Sequence, residues 1–258
     1  MNSRVVGLAC LALALVACAP RVAPSIEWPL SAREVRDALA APLQNVRTLS
    51  GSGTVRQENG DNVLVADALL SLDVGRGVRL DVLSPVLSPL LTLVVTKNEI
   101  TLLDFRRRRA VIGPATAQTT ETLLRLRVDP RLLTEILTGG ASLPDAAWRP
   151  VAPRGEAEEG LWTYAADSWR VGLDPHTRRP VLLAVDGDDP LVITWSHRQT
   201  VDQVEIARQV AIRRPRPRQG LRLSLAEVKA NQPVDAALFQ PKIPDGFNVQ
   251  RLVDESGR

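Results

Sequence analysis

From Leu64 to Val74 every even position is apolar (Leu64, Ala66, Ala68, Leu70, Leu72, Val74), and the odd positions include Asp67, Ser71 and Asp73. A period of two over this length specifies a strand with one buried face, because successive side chains leave a strand on opposite sides. A slip of one residue would turn the whole apolar set to water, so this strand also constrains the register of its neighbours. Those neighbours carry the same pattern. After the turn signal Gly75-Arg76-Gly77, the apolar Val78, Leu80 and Val82 alternate with Arg79 and Asp81. Upstream, Gly51 to Arg56 reads as a first strand that ends at the Asn59-Gly60 turn, with Gly51-Ser52-Gly53 as its start.

Further strands follow at short spacing. Leu93 to Thr96 and Ile100 to Phe105 make a hairpin around Lys97-Asn98-Glu99, and Ala110 to Ile112 continues beyond an arginine run. In the second half the expected strands are Leu161 to Ala165, Trp169 to Leu173, Val181 to Val185, Leu191 to Trp195, Val204 to Ile212 and Leu221 to Leu225. Connections this short favour antiparallel pairing, since a parallel crossover needs a dozen or more residues. About ten strands are expected in all.

Three helices are expected. Ser31 and Glu34 form a capping box ahead of Val35, Ala38 and Leu39, with the helix ending near Pro42. A second runs from Thr119 to Leu126. A third has Asp129 as N-cap, Pro130 in the first turn, Leu132, Leu133, Ile136 and Leu137 on one face, and Gly139-Gly140 as its stop. Between strands, Ser84 to Leu91 breaks the alternation. Pro85 and Pro89 cannot donate to a ladder, yet Val86, Leu87, Leu90 and Leu91 are apolar, so a greasy connection is expected there. Arg149 to Gly160 reads as a charged loop in which Glu158 and Glu159 are solvated.

The amino terminus carries an export pattern. A single early charge, Arg4, precedes an apolar run from Val5 to Val16, followed by Ala17 and Cys18. That run is shorter than the ~20 residues of a membrane-spanning helix. The expected division is therefore a lipoprotein signal peptide over 1–17, a lipidated terminus and Pro-rich tether over 18–30, and one domain over 31–258. Cys18 is the expected lipid attachment site; an ordinary signal peptide with an incidental cysteine is the alternative. With Cys10 removed and Cys18 acylated, no cysteine remains for a disulfide, although 45% hydrophobic residues suffice for a core.

The composition excludes some chemistry. The two histidines, His176 and His197, lie far from any cluster of metal ligands, and neither a nucleophile elbow nor a phosphate loop is present. No enzyme, cofactor or metal site is expected. The clusters Arg106 to Arg109 and Arg213, Arg214, Arg216 and Arg218 read either as solvated turns or as contacts for anionic lipid. Nucleic acid is not an expected partner of an exported chain.

Several stretches resemble the LolA/LolB group of lipoprotein-localisation proteins. They are Val46 to Gly53, Leu83-Ser84-Pro85, Leu137-Thr138-Gly139, Leu173 to Thr177 and the closing Phe239 to Phe247. The LolB-like branch fits better, because LolA is soluble and this chain carries a lipobox. Ala19 lacks the aspartate associated with inner-membrane retention, so the resemblance implies an outer-membrane location facing the periplasm. It also implies an α+β, mainly antiparallel fold: an unclosed, curved half-barrel with helices over its open side, holding acyl chains of lipoproteins or phospholipid inside. Wall candidates are Leu70, Leu72, Leu80, Val82 and Leu93; lid candidates are Leu123, Leu124, Leu133 and Leu137. Val86, Leu87, Leu90 and Leu91 are candidates for membrane contact. The implied partners are lipoprotein acyl chains, the membrane itself and a periplasmic carrier or envelope protein. A second reading keeps the fold but closes the cavity, leaving an assembly lipoprotein that acts through its surface; an envelope hydrolase is a third.

Overall fold

Alternation in the sequence becomes cross-strand pairing in the structure, a computed structural model that describes residues 30–143, 145–215 and 218–253. Cys18, the tether and Arg216 lie outside the described residues. Four long antiparallel neighbours open the sheet: β1 (Thr48–Asn59), β2 (Asn62–Asp73), β3 (Gly77–Leu83) and β4 (Pro89–Thr96). β5 (Glu99–Asp104) and β6 (Arg109–Pro114) extend it. The second half adds β7 (Arg149–Pro150), β8 (Trp162–Ala166), β9 (Trp169–Leu173), β10 (Pro180–Val185), β11 (Leu191–Val201), β12 (Val204–Arg214) and β13 (Gln219–Ala230). β13 returns to pair with β1, so the two halves form one sheet in the order β14-β6-β5-β4-β3-β2-β1-β13-β12-β11-β10-β9-β8-β7. The final strand, β14 (Asn248–Arg251), lies parallel to β6, because the closing segment crosses the sheet before pairing. Among the described residues there are thus fourteen strands rather than about ten, and one parallel pair joins the expected antiparallel ones.

Three helices pack on this sheet. α1 (Ala32–Asn45) has the capping box, with Ser31 N donating to Glu34 Oε2 at 2.8 Å and Glu34 N to Ser31 Oγ at 3.3 Å. It does not end near Pro42. The chain stays helical to Asn45, and Val46 N donates to Pro42 O at 3.1 Å. Losing one backbone donor at Pro42 is offset by burying its ring, which stands beside Gly140. A Cβ at Gly140 would fall 2.5 Å from Leu39 O, so glycine permits the close crossing there. α2 (Ala117–Leu124) starts two residues earlier than expected, capped by Thr116. α3 (Pro130–Thr138) has the expected ends: Asp129 accepts from Arg131 N, and Gly139 takes φ 93°.

The core joins distant strands. One cluster holds Leu93, Val95 and Ile100 from β4 and β5 together with Ile193, Trp195 and Ile212 from β11 and β12, and Leu133 and Ile136 of α3. Trp195 Nε1 donates to Ile136 O at 2.8 Å, which ties α3 to β11. A second cluster under β1–β3 includes Val46, Leu49, Leu70 and Leu72. A third joins Val35 and Leu39 of α1 to Tyr164, Val171 and Leu173.

Two local expectations are corrected. Leu90 and Leu91 are not in a connection; they belong to β4, where Leu91 pairs with Val82 and Pro89 with Leu83. Pro89 is the strand's first residue, a position that needs no ladder donor. The turn itself is 84–88, closed by Leu87 N to Ser84 O and Ser84 N to Ser88 O, both at 2.8 Å. Glu158 is not solvated either. It is 5% exposed and pairs with the buried Arg170 of β9 at 2.5 Å.

The 84–88 turn holds Leu87 at φ 58°, a left-handed conformation that costs a residue with a Cβ about 1–2 kcal/mol. Burial of the side chain does not repay this, since Leu87 is 70% exposed, and the turn's bond from Leu87 N to Ser84 O is one that glycine would keep. Leu87→Gly is therefore expected to raise stability by up to about 1 kcal/mol, less the entropy glycine adds to the unfolded chain. Urea unfolding of the pair of proteins checks this; a less stable variant removes the strain argument.

Candidate functional site

Cross-strand register alone builds an apolar hollow. Leu70 of β2 faces Leu80 of β3, which faces Leu93 of β4 and then Leu102 of β5. The row beside it is Leu72, Val78, Val95 and Ile100. Paired residues in a sheet share a face, so both rows point the same way. From the other half, Leu223 and Leu221 of β13 face Val210 and Ile212 of β12. Leu124 of α2 and Leu133 and Leu137 of α3 complete the lining. The result is a cavity of about 40 Å³ bounded by Leu70, Val78, Leu80, Leu93, Val95 and seven further apolar residues. Its walls offer no hydrogen-bond partner to water, and an apolar void of this kind stays dry. Leu80, Leu124, Leu137 and Leu221 are only partly buried, although they line it.

The expected site residues divide as follows. Leu70, Leu80, Leu93, Leu124, Leu133 and Leu137 come together on the hollow. Leu72 is fully buried in the core beneath Val46 and Leu49. Leu123 lies in a separate groove beside Leu102, Arg125 and Leu252. Val82 lies with Leu64, Leu90 and Leu91 in a groove of about 390 Å³ edged by Asp104, Arg106 and Arg107. This groove lies farther along the sheet than the hollow: Val82 and Leu91 are paired across β3 and β4, one row beyond Leu80 and Leu93. Val86 and Leu87 stand near it, 81% and 70% exposed, at the tip of the 84–88 turn.

Sequence reasoning missed Val210, Ile212, Leu221 and Leu223 as lining. Their alternation was visible, but nothing local says that β13 pairs with β1 and so carries them round to the hollow. Glycines mark that joint. A Cβ at Gly51 would lie 2.3 Å from Glu227 O, and one at Gly53 would lie 2.0 Å from Ser224 O. The register shifts between Ser52 and Gly53, a bulge that bends the strand.

Titratable groups cluster away from the hollow. Arg198 lies between Glu205 Oε1, at 3.3 Å, and Pro180 O, and burial pushes its guanidinium below its ordinary value. Arg179 shares Glu205 at 3.4 Å. The turn amides of Thr177 and His176 hold the Asp174 carboxyl below the usual range, against a smaller opposing effect of burial. His197 lies within β11, at a φ of 54°. Among the described residues no group of three or more His, Cys, Asp or Glu could hold a metal.

No protein-family model matches the sequence, and no curated protein matches it. Solved structures do. A DUF1329 family protein from Desulfovibrio piger aligns over 81% of this chain and 97% of its own, with a TM-score of 0.56 and 10% identity. A putative outer membrane lipoprotein-sorting protein domain from Vibrio parahaemolyticus aligns over 81% and 95%, with a TM-score of 0.54 and 9% identity. A LolA superfamily protein from Nitrosomonas europaea aligns over 81% and 97%, with a TM-score of 0.51 and 7% identity. The fold is LolA-like. At these identities the likeness concerns architecture, and the hollow just described is where that LolA-like architecture leaves room between sheet and helices.

Proposed function

We propose that this chain is a lipoprotein of the outer membrane, facing the periplasm, whose hollow takes up acyl chains and passes them to the bilayer without covalent chemistry. In this reading the sheet curls into an unclosed half-barrel, α2 and α3 form its lid, and acylated Cys18 tethers it. The observation that carries the reading is the lining: twelve apolar side chains from both halves of the sheet and from both lid helices. Each methylene moved from water into such a lining contributes about 0.8 kcal/mol, so a bound chain needs no polar anchor. The hollow as it stands is smaller than an acyl chain, so uptake requires α2 and α3 to lift. These helices are short, and α2 ends at an exposed left-handed Arg125. Two structural neighbours, an outer membrane lipoprotein-sorting protein domain and a LolA superfamily protein, support a role in lipoprotein localisation.

The small volume favours a second reading, in which the packed hollow stays shut and the domain acts on a protein partner. Binding of cis-parinaric acid, which fluoresces in apolar surroundings, separates the two. Full-length chain carrying Cys18→Ser is expected to bind the probe. Leu223→Phe in the same chain, which fills the hollow, is expected to weaken binding about tenfold or more, the equivalent of two or three excluded methylenes. Equal binding by both proteins leaves only the second reading.

A further inference from the structure

Four connections gather at one end of the sheet: the turns after β1, β3 and β5, and the link from β12 to β13. Gly60 N donates to Arg218 O at 2.8 Å, joining the first of these to the last. Arg106 and Arg107 edge the groove of Leu64 and Val82. Arg107 also shares a second groove with Arg125, at the end of α2. Arg125 O in turn accepts from Arg214 Nη1 at 3.3 Å. Three segments far apart in sequence thus contribute a belt of arginines to the end of the sheet that carries this groove.

Most carboxylates near this belt are already engaged. Asp104 takes Arg107 at 3.4 Å, and Arg214 holds Asp189 at 2.5 Å and Glu121 at 3.7 Å. Among the described residues, Arg106, Arg125, Arg213 and Arg218 have no ion-pair partner and are exposed to water. The Glu58 carboxyl lies below the usual range chiefly through its hydrogen bond to Arg56, opposed by desolvation, with smaller contributions from Arg213 and Arg218. Exposed apolar side chains share the same end: Val86 and Leu87 on the 84–88 turn, and Val63 and Val65, 48% and 56% exposed, on the face of β2 opposite Leu64.

We propose that this arginine belt docks this end of the sheet onto an anionic phospholipid surface, with guanidiniums on headgroup phosphates and the aliphatic side chains among the acyl ends. This deepens the carrier reading and rests on it for its purpose. Guanidinium matches phosphate geometry and keeps its charge at any physiological pH. Nucleic acid fits less well, because exposed valines and leucines find nothing to bury against along a phosphate backbone, and the aromatic ring next to these arginines, Phe105, is packed edge-to-face on Phe247 at 5.5 Å rather than standing open to stack on bases.

The test compares full-length Cys18→Ser chain with the same chain carrying Arg106→Glu, Arg125→Glu and Arg218→Glu, one from each segment and none in the hollow. Both are floated with vesicles of phosphatidylcholine, alone or with about a third phosphatidylglycerol. The parent is expected to prefer the anionic vesicles by at least about tenfold, since each arginine near such a surface adds roughly fivefold. The triple variant, with its thermal midpoint unchanged, is expected to lose that preference. A parent that binds both vesicles alike, or a variant that keeps the preference, overturns the proposal. So does tighter capture of a single-stranded RNA than of anionic vesicles. Parinaric acid uptake by the same two proteins reports on the hollow independently, so a failed belt and a failed carrier give different results.

Discussion

Arg170→Met alone should lower the stability of this domain by about 3–5 kcal/mol, the cost of leaving a buried carboxylate without its counter-charge. Arg170 side-chain exposure is 4% and that of Glu158 is 7%, and the pair meets through two hydrogen bonds, at 2.5 and 3.1 Å. Arg170 also donates to Ala152 O at 3.2 Å, and Glu158 accepts from Arg154 N at 2.6 Å. These bonds fasten the 151–160 segment over the outer face of β8–β10, where Leu161 covers Gly172. A loss of that size lowers the thermal midpoint by roughly 10 °C in a domain this large. Glu158→Leu added to Arg170→Met should recover much of it, because an apolar pair of similar volume removes both desolvation costs. Additive losses in the thermal or urea unfolding of the double variant would show that the two groups are not coupled.

That ion pair also shows where sequence reasoning stops. Arg170 alternates with Trp169 and Val171, so its position reads as an outward face, and it is one. Its burial comes from a loop folded back over that face, for which Glu158-Glu159 gives no periodic signal. The legible features were local ones. The capping box at Ser31 and Glu34, the Asp129-Pro130 and Gly139 bounds of α3, and the inward row Ala68, Leu70 and Leu72 each depend on residues a few positions apart. Even so, the inward pattern of β2 holds only where β3 covers it. Leu64 keeps 47% exposure because β3 stops opposite Asp67, so the hairpin runs on past its neighbour. For the hollow, one half of the lining could be read from β2 to β4 and from α2 and α3. The other half depends on β1 pairing with β13 across more than a hundred residues, and no short-range pattern encodes that.

The joint between those strands is the position most sensitive to a single methyl group. Gly53→Ala should leave little folded protein, because the added Cβ would sit 2.0 Å from Ser224 O and 2.8 Å from Leu225 Cα, both main-chain atoms that cannot rotate away. Relief requires β13 to move off β1, which breaks the ladder on one side of the bulge and draws Leu223 away from the hollow. The expected loss exceeds about 4 kcal/mol, in the range reserved for core disruption. Gly60→Ala is the control. Gly60 has φ 60° but nothing within 4 Å of a built Cβ, so only the left-handed backbone cost of about 1–2 kcal/mol applies. Chemical unfolding of both variants tests the contrast. Should Gly53→Ala prove no worse than Gly60→Ala, the close approach of β13 to β1 is not what fixes the place of β13. The hollow would then need another explanation, since that joint is what brings Leu221 and Leu223, with Val210 and Ile212 beside them, round the same hollow as Leu80 and Leu93.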